Sequence, residues 1–205
     1  MIDRTVDAIR AGLPVILPTD TVYGLCTTAS FAEAVERLYR LKGRPGTQPT
    51  AILAGDIDAL LQAVPELRGE PERIVRALLP GPYTLVLPNP AQRFPWLNGE
   101  RPEAIGVRVP NLAGDAAEVL RRAGLVVATS ANLAGGTDPR SLDEVPRDLR
   151  EAAAAEIDAG ELPGVASTVV DFTGKEPQVL REGAGPFEPG SILRRNPGEE
   201  LAPWP

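Results

Sequence analysis

Short continuous apolar runs alternate along this chain with stretches whose apolar positions recur every three or four residues. The runs read as buried strands and the periodic stretches as amphipathic helices. Asp3 is the expected cap of a first helix, with Ile2, Val6 and Ile9 on one stripe. Val15–Leu17 follows as a strand that empties into the turn Pro18-Thr19-Asp20-Thr21-Val22-Tyr23-Gly24-Leu25. Ser30 with Glu33 has the capping-box spacing and opens a helix facing inward through Ala34, Val35, Leu38 and Leu41. Ala51–Leu53 reads as a strand, Asp56 as the cap of a helix over Ile57–Ala63, and Glu70–Leu79 as a helix stopped by Pro80-Gly81-Pro82. Thr84–Leu87 and Ile105–Val109 read as strands, and Leu112–Ala123 as a helix closed by Gly124. Leu125–Thr129 is a further strand. Ser141 with Glu144 repeats the capping pattern, cut short by Pro146. An alanine-rich helix over Arg147–Ala155 and strands over Ser167–Phe172 and Gln178–Arg181 complete the pattern.

This alternation predicts a layered α/β domain of the α+β type, with helices flanking one sheet. The link from Leu87 to Ile105 is long and carries no helical pattern, so the sheet should mix parallel and antiparallel strands. A chain of 205 residues suits one domain with a full core. That domain is expected over residues 1–185, with a Pro/Gly-rich tail over 186–205 and no second domain.

Composition narrows the chemistry. Apolar residues make up 43% but aromatics only 4%, so the core should be aliphatic. The net charge of −7 argues against the whole surface as a nucleic-acid platform and leaves room for a local cationic cleft. There is no histidine and one cysteine, Cys26. Histidine triads, His/Cys zinc sites and an internal disulfide are thereby excluded, and no metal-ligating residue is nominated. Acid–base work falls to Asp, Glu, Lys, Tyr or the substrate. Cys26 reads as a small buried residue in a protein from a reducing compartment. No apolar signal segment follows Asp3 and Arg4, and no apolar run approaches the roughly 20 residues of a membrane span. A cytoplasmic protein without a membrane partner is expected.

Six clusters carry candidate chemistry. The first is the turn Thr19 to Gly24, at a strand end of the kind where α/β sheets place ligands. The second is Lys42-Gly43-Arg44-Pro45. Its cations either complement a helix dipole or jointly face an anion as a point charge and a planar fork. The third is the Pro80-Gly81-Pro82 corner, which by itself reads as a turn and could also present backbone N–H groups and Thr84. The fourth is Arg108, whose charge inside an apolar strand requires either a salt-bridge partner or a ligand. The fifth is Thr129-Ser130-Ala131-Asn132, followed by Gly135-Gly136, which could be a turn or a place where a ligand meets backbone. The sixth is Ser167-Thr168, with Arg181 one strand later. Neither common glycine-rich phosphate motif occurs.

In order, the segments PTDTVYGL, LKGRP, PGPYTLVL, GVRVP, TSAN, STVVDF and LREGA closely resemble the YrdC-like domain family over about Ile9 to Gly185. The resemblance implies a twisted mixed sheet with a concave cleft. It also implies threonylcarbamoyl-AMP synthase activity, in which L-threonine, bicarbonate and ATP give L-threonylcarbamoyladenylate and pyrophosphate. The product serves the N6-threonylcarbamoyl modification of adenosine 37 in tRNA. Transferred residue by residue, Lys42 and Arg44 are the catalytic cations. Thr21, Ser167 and Arg108 face threonine, and Arg44, Gln48, Thr84, Ser130, Asn132 and Arg181 face ATP. Mg²⁺ is expected with the nucleotide. Downstream tRNA threonylcarbamoyl-transferase proteins are expected partners, and weak RNA binding is allowed. Gln48, Leu53, Asp138 and Tyr83 depart from the residues common in the family. Gln48 can still donate to a phosphate, Leu53 cannot make a polar contact, and no binding role is carried to Asp138.

Three rivals compete with this reading: a non-enzymatic RNA-binding module, a paralogue without synthase activity, and a hydrogenase-maturation carbamoyltransferase. The acidic balance weighs against the first, and the K-x-R and S-A-N motifs against the second. One cysteine with no histidine excludes the zinc-finger segments of the third.

Overall fold

The computed structural model describes residues 1–188. The expected tail lies outside the described residues apart from its first three positions. The elements run α1 (Ile2–Arg10), β1 (Val15–Pro18), β2 (Tyr23–Thr28), α2 (Ala32–Lys42), β3 (Ile52–Leu53), α3 (Ile57–Ala63), α4 (Glu70–Leu78), β4 (Tyr83–Pro88), β5 (Ala104–Arg108), α5 (Gly114–Ala123), β6 (Val126–Ser130), α6 (Arg147–Ala152), β7 (Ala155–Glu156), β8 (Thr168–Asp171) and β9 (Gln178–Arg181). The strands form one nine-stranded sheet in the order β7-β1-β2-β6-β3-β5-β4-β8-β9. β1/β7, β3/β5 and β4/β8 pair in parallel, and the other neighbours are antiparallel. The expected mixed sheet is therefore present.

Successive strand residues point to opposite faces, and here they enter two different cores. Ile16, Ile52 and Val127 join Leu38, Leu60, Leu85 and Val107 in one cluster, beneath α2, α3 and α4. Their neighbours Val15, Leu17, Leu53 and Val126 join Val6, Ile9, Val119 and Leu120 in the other, beneath α1 and α5. Strands covered on both faces read as continuous apolar runs, and every residue of β1 and β2 is buried. β4 differs. Tyr83, Leu85 and Leu87 are buried, while Thr84 and Val86 are half-buried. The α1/α5 layer stops short of this part of the sheet and leaves a concave face.

Several local expectations change. The turn after β1 leads directly into β2, a strand hidden in the sequence because Gly24, Thr27 and Thr28 dilute its apolar run. The helix expected over Arg147–Ala155 ends at Ala152, and Ala155–Glu156 instead pairs with Val15–Ile16. Asp3 does not cap α1; Met1 holds the cap position, and Asp3 accepts from Arg122 Nη2 at 2.6 Å across to α5. Ser30 does not cap α2, because the helix starts one residue later behind Phe31. The second capping pattern yields only a 3-10 turn over Leu142–Glu144, and the Glu144 carboxylate accepts from Arg140 N at 2.7 Å. The Asp56 cap is present: its Oδ1 accepts from Ala59 N at 2.7 Å. Cys26 is fully buried, which pushes its thiol up to about 12.

Gly55 lets α5 dock against the end of β3. A Cβ there would lie 2.6 Å from Arg121 Cα and 2.7 Å from Arg121 N, both backbone atoms of α5. Gly55→Ala should therefore cost about 1–3 kcal/mol, the range for overpacking a well-packed core. An unchanged urea midpoint would contradict this account of the docking.

Candidate functional site

The bare face of the sheet forms a cleft of about 450 Å³. Register explains its contents. Arg108 lies opposite Leu53 of β3, Thr84 opposite Val169, and Val169 opposite Arg181. Because these pairs share a face, one transverse row presents Arg108, Thr84 and Arg181 to the cleft. The next row carries Gly106 and Val86, directly opposite each other. Gly106, Ala104, Ala128 and Gly24 leave the floor free of long side chains.

Lys42 arrives from the last residue of α2, where Gly43 terminates the helix in the left-handed conformation with φ of 66°. Its ammonium donates to Ser130 O at 2.7 Å, to Asn132 O at 3.0 Å and to Asn132 Oδ1. Ser130 Oγ also donates to Asn132 Oδ1 at 2.8 Å. Burial, with Arg44 nearby, pulls the Lys42 ammonium down to about 8, and Asp138 opposes that shift. Arg44 donates to Thr129 Oγ1 at 3.2 Å and to the carbonyl of Pro49, and its guanidinium lies 5.7 Å from the centre of the Tyr39 ring. Its Nε is buried without a hydrogen-bond partner. Burial lowers the pKa of both Arg44 and Arg181.

At the other side of the cleft, the Thr84 and Ser167 hydroxyls lie 2.9 Å apart. Arg181 donates to Ser167 O at 2.8 Å and to Ser167 Oγ at 3.1 Å. Between the two sides stands Arg108, only 8% exposed. Its Nη2 donates to Asp20 Oδ1 and, at 2.8 Å, to Thr21 Oγ1. Asp20 Oδ2 also accepts from Asn111 N at 3.0 Å. Asp20 thus ties the β1–β2 turn to the end of β5. Of the two readings of Arg108, the salt bridge is present, and its guanidinium still lines the cleft.

Lys42, Arg44, Gln48, Thr84, Arg108, Ser130, Asn132, Ser167 and Arg181 all line this single cleft. Thr21 does not. It is fully buried, with its hydroxyl 2.9 Å from Thr19 Oγ1, and Thr19 is the threonine that reaches the wall. The Pro80-Gly81-Pro82 corner is the turn its residues suggested. Gly81 N donates to Val109 O at 2.9 Å and Tyr83 N to Gly81 O at 2.8 Å, so these N–H groups brace the corner and only Thr84 reaches the cleft. Sequence reasoning missed Asn98 and Arg101. Both sit in the long link between β4 and β5, whose length without a helix was the available signal. Arg101 is held by Asp171 Oδ2 at 2.7 Å and Thr173 Oγ1 at 2.8 Å.

The geometry is that of an anion-binding cleft in which hydroxyls are interleaved with cations. The sequence model of the Sua5/YciO/YrdC family, described as telomere recombination, matches residues 7–183. The chain belongs to this family. A Mycobacterium tuberculosis relative, provisionally named threonylcarbamoyl-AMP synthase, is 36% identical over 182 residues, covering 87% of this chain and 82% of its own length. Pyrococcus abyssi threonylcarbamoyl-AMP synthase is 36% identical over 183 residues, 88% of this chain and 53% of that protein. The solved structure of P. abyssi Sua5 complexed with L-threonine has a TM-score of 0.76 at 33% identity, covering 89% of this chain and 54% of that one. Escherichia coli YciO has a TM-score of 0.78 at 28% identity, covering 92% and 91%. This chain therefore spans about half the length of the P. abyssi protein and nearly all of YciO. The family assignment agrees with the resemblance drawn from the seven sequence motifs.

Two outcomes follow from this geometry. Asp20→Ala strands the buried Arg108 guanidinium and frees the β1–β2 turn. It should cost about 3–5 kcal/mol, the scale of breaking one partner of a buried ion pair, and thermal unfolding against wild type checks it. Lys42 supplies a pH signature. Its folded pKa lies below its ordinary value, so from about pH 8 upward the folded state loses this proton before the unfolded state does. Unfolding there takes up a proton, and stability rises with pH. The stability of wild type relative to Lys42→Met should increase between about pH 8 and the ordinary lysine range. A flat difference across that window would refute the buried-ammonium account.

Proposed function

We infer that this chain is a threonylcarbamoyl-AMP synthase, making L-threonylcarbamoyladenylate from L-threonine, bicarbonate and ATP. The observation that carries this reading is the gathering of Lys42, Arg44, Arg108 and Arg181 with four hydroxyl side chains, Thr19, Thr84, Ser130 and Ser167, around one cleft in a chain whose relatives bear that enzyme's name. The threonine carboxylate, bicarbonate and the triphosphate are all anionic, so the cleft needs charge neutralisation more than a strong base.

The threonine amine, once deprotonated, attacks the bicarbonate carbon. A C–N bond forms, water leaves and a carbamate results. A carbamate oxygen then attacks the α-phosphorus, and the bond to the leaving pyrophosphate breaks. Catalysis of this kind rests on positioning and on fixed charges aimed at the transferring group. Arg44 and Arg181 hold the phosphates, and Lys42 adds its charge while fixing Ser130 and Asn132. Arg108 and Ser167 hold the threonine side, with Thr21 acting through Thr19 and Arg108. Gln48 and Thr84 complete the nucleotide contacts.

Among the described residues no group of three or more His, Cys, Asp or Glu side chains could hold a metal. The cleft offers one carboxylate, Asp138. That donor set fits Mg²⁺ carried in on the triphosphate, since Mg²⁺ commonly binds through one or two carboxylates plus substrate phosphates. The ion belongs to the nucleotide substrate, and Asp138 is the residue that would meet it.

The adenylate product is a reactive mixed anhydride, so a tRNA threonylcarbamoyl-transferase should consume it. Weak RNA affinity would serve that handover. No described helix is long and apolar enough to cross a membrane, and a cytoplasmic reaction fits substrates that are small, charged and water-soluble. An RNA-binding module or an inactive paralogue is not favoured, because the Lys42–Arg44 and Ser130–Asn132 pairs are assembled on one cleft.

The test is pyrophosphate release from ATP with bicarbonate, with and without L-threonine, and with serine as control. Release should require threonine, and threonine-independent release would sink the reading. Lys42→Ala should lower product formation ~10²-fold or more, the scale of removing one preorganised electrostatic group, in a protein that still folds. Wild-type turnover would remove Lys42 from the machinery.

A further inference from the structure

Five cationic side chains line the cleft; Arg101 and Arg108 are paired with Asp171 and Asp20, which leaves Lys42, Arg44 and Arg181 facing the one lining carboxylate, Asp138. That carboxylate is held in place. Asn132 must turn its carbonyl oxygen to the Lys42 ammonium and the Ser130 hydroxyl, which forces its amide nitrogen toward Gly136 O and Asp138 Oδ1, the latter at 3.2 Å. The loop beneath is pinned by Ala134 N donating to Lys42 O at 3.0 Å and by Gly136 N donating to Leu133 O at 2.9 Å. Asp138 acts electrostatically on both Lys42 and Arg181, while the donors of Lys42 are directed at Ser130 and Asn132 and those of Arg181 at Ser167. Asp138 is half-buried and lines the cleft beside those cations, so its charge shares the space into which they would draw a triphosphate.

We propose that Asp138 makes this cleft selective for the divalent-cation complex of the nucleotide over the free nucleotide. The inference rests on the nucleotide site argued above and adds a discriminating residue to it. A free triphosphate brings its full negative charge against the Asp138 carboxylate at short range, and that repulsion is weakly screened in a partly buried cleft. A bound Mg²⁺ neutralises much of the triphosphate charge and gives the carboxylate an attractive partner. The same group thus penalises one form of ATP and favours the other. Discrimination by a built-in repulsive element is a general route to specificity. The surrounding cations keep the net field attractive, so Asp138 sets which form binds rather than whether any form binds.

The experiment is calorimetric binding of ATP to the whole chain, once with Mg²⁺ in excess and once with EDTA. Wild type, Asp138→Asn and Asp138→Ser are compared. Asn keeps an oxygen for the Asn132 amide, so the loop is retained, and Ser removes the carboxylate with a smaller side chain. Wild type should bind the Mg²⁺ complex more tightly than free ATP. Both variants should bind free ATP about tenfold more tightly than wild type, the scale of removing one close unit charge from a partly solvated site. Their preference for the Mg²⁺ form should shrink accordingly. An unchanged preference in both variants overturns the role of Asp138 while leaving the nucleotide site intact. Failure of wild type to bind ATP in either form overturns the nucleotide site and this inference together.

Discussion

The buried pair of Arg108 and Asp20 is the constraint on which the cleft depends. Arg108 stands at the end of an otherwise apolar strand, and such a charge cannot be left without a partner. Asp20 answers it from the β1–β2 turn and accepts from Asn111 N as well. One carboxylate therefore fixes the turn, the end of β5 and the direction of the guanidinium. A buried ion pair is weak evidence of net stability, because desolvation opposes the attraction. Its clearer consequence is geometric. With Asp20 in place, Thr21 is drawn under the wall and Thr19 is presented on it.

The remaining walls follow from an incomplete layer. α1 and α5 cover β1, β2 and β3 with Val6, Ile9, Val119 and Leu120, and they leave β4, β5 and β8 bare on the same face. That surface would be a liability if it were apolar and extended. It is instead short-chained along its floor and polar around it. Gly106 shows how tight the floor is: a Cβ there would meet Ala51 Cα and Cβ at 3.2 Å. On the opposite face of β4, Gly185 allows an equally close approach: its backbone lies on the Tyr83 ring, and the Tyr83 hydroxyl donates to Pro186 O at 2.9 Å.

Elements with strong periodicity were legible in the sequence, and so was the mixing of the sheet. β2 and β7 were not. β2 carries Gly24 and two threonines, and β7 has only two residues, so their assignment depends on pairing with β1, a non-local fact. The capping patterns at Ser30 and Ser141 satisfied the local spacing, yet α2 starts one residue later behind Phe31, and the turn that starts behind Ser141 lasts three residues and gains no side-chain cap. For the site, nine nominated residues meet on one cleft because each motif sits at a strand end or beside one. Thr21 lies one layer behind the cleft wall, a placement no spacing could reveal. The two hydroxyls meet each other, and Arg108, held by Asp20, takes the Thr21 hydroxyl while Thr19 reaches the wall. Arg101 and Asn98 were invisible because their link has no periodicity to place them.

The two cations of the K-x-R pair are not equivalent. Lys42 has its three protons directed at Ser130 and Asn132 oxygens, so it has little left to offer a ligand without releasing the strand end. Arg44 is anchored at both Nη atoms, but its Nε remains without a partner, and the Tyr39 ring and the Pro49 carbonyl hold its plane. A point charge with rotatable donors suits the first task, and a rigid fork the second. The spacing puts Lys42 on the last turn of α2 and Arg44 beyond a left-handed Gly43, so one side chain turns under the β6 end and the other stands in the open cleft. Exchanging the two residues would keep the charge and lose the arrangement, because a planar guanidinium cannot sit among the four oxygens that Lys42 occupies.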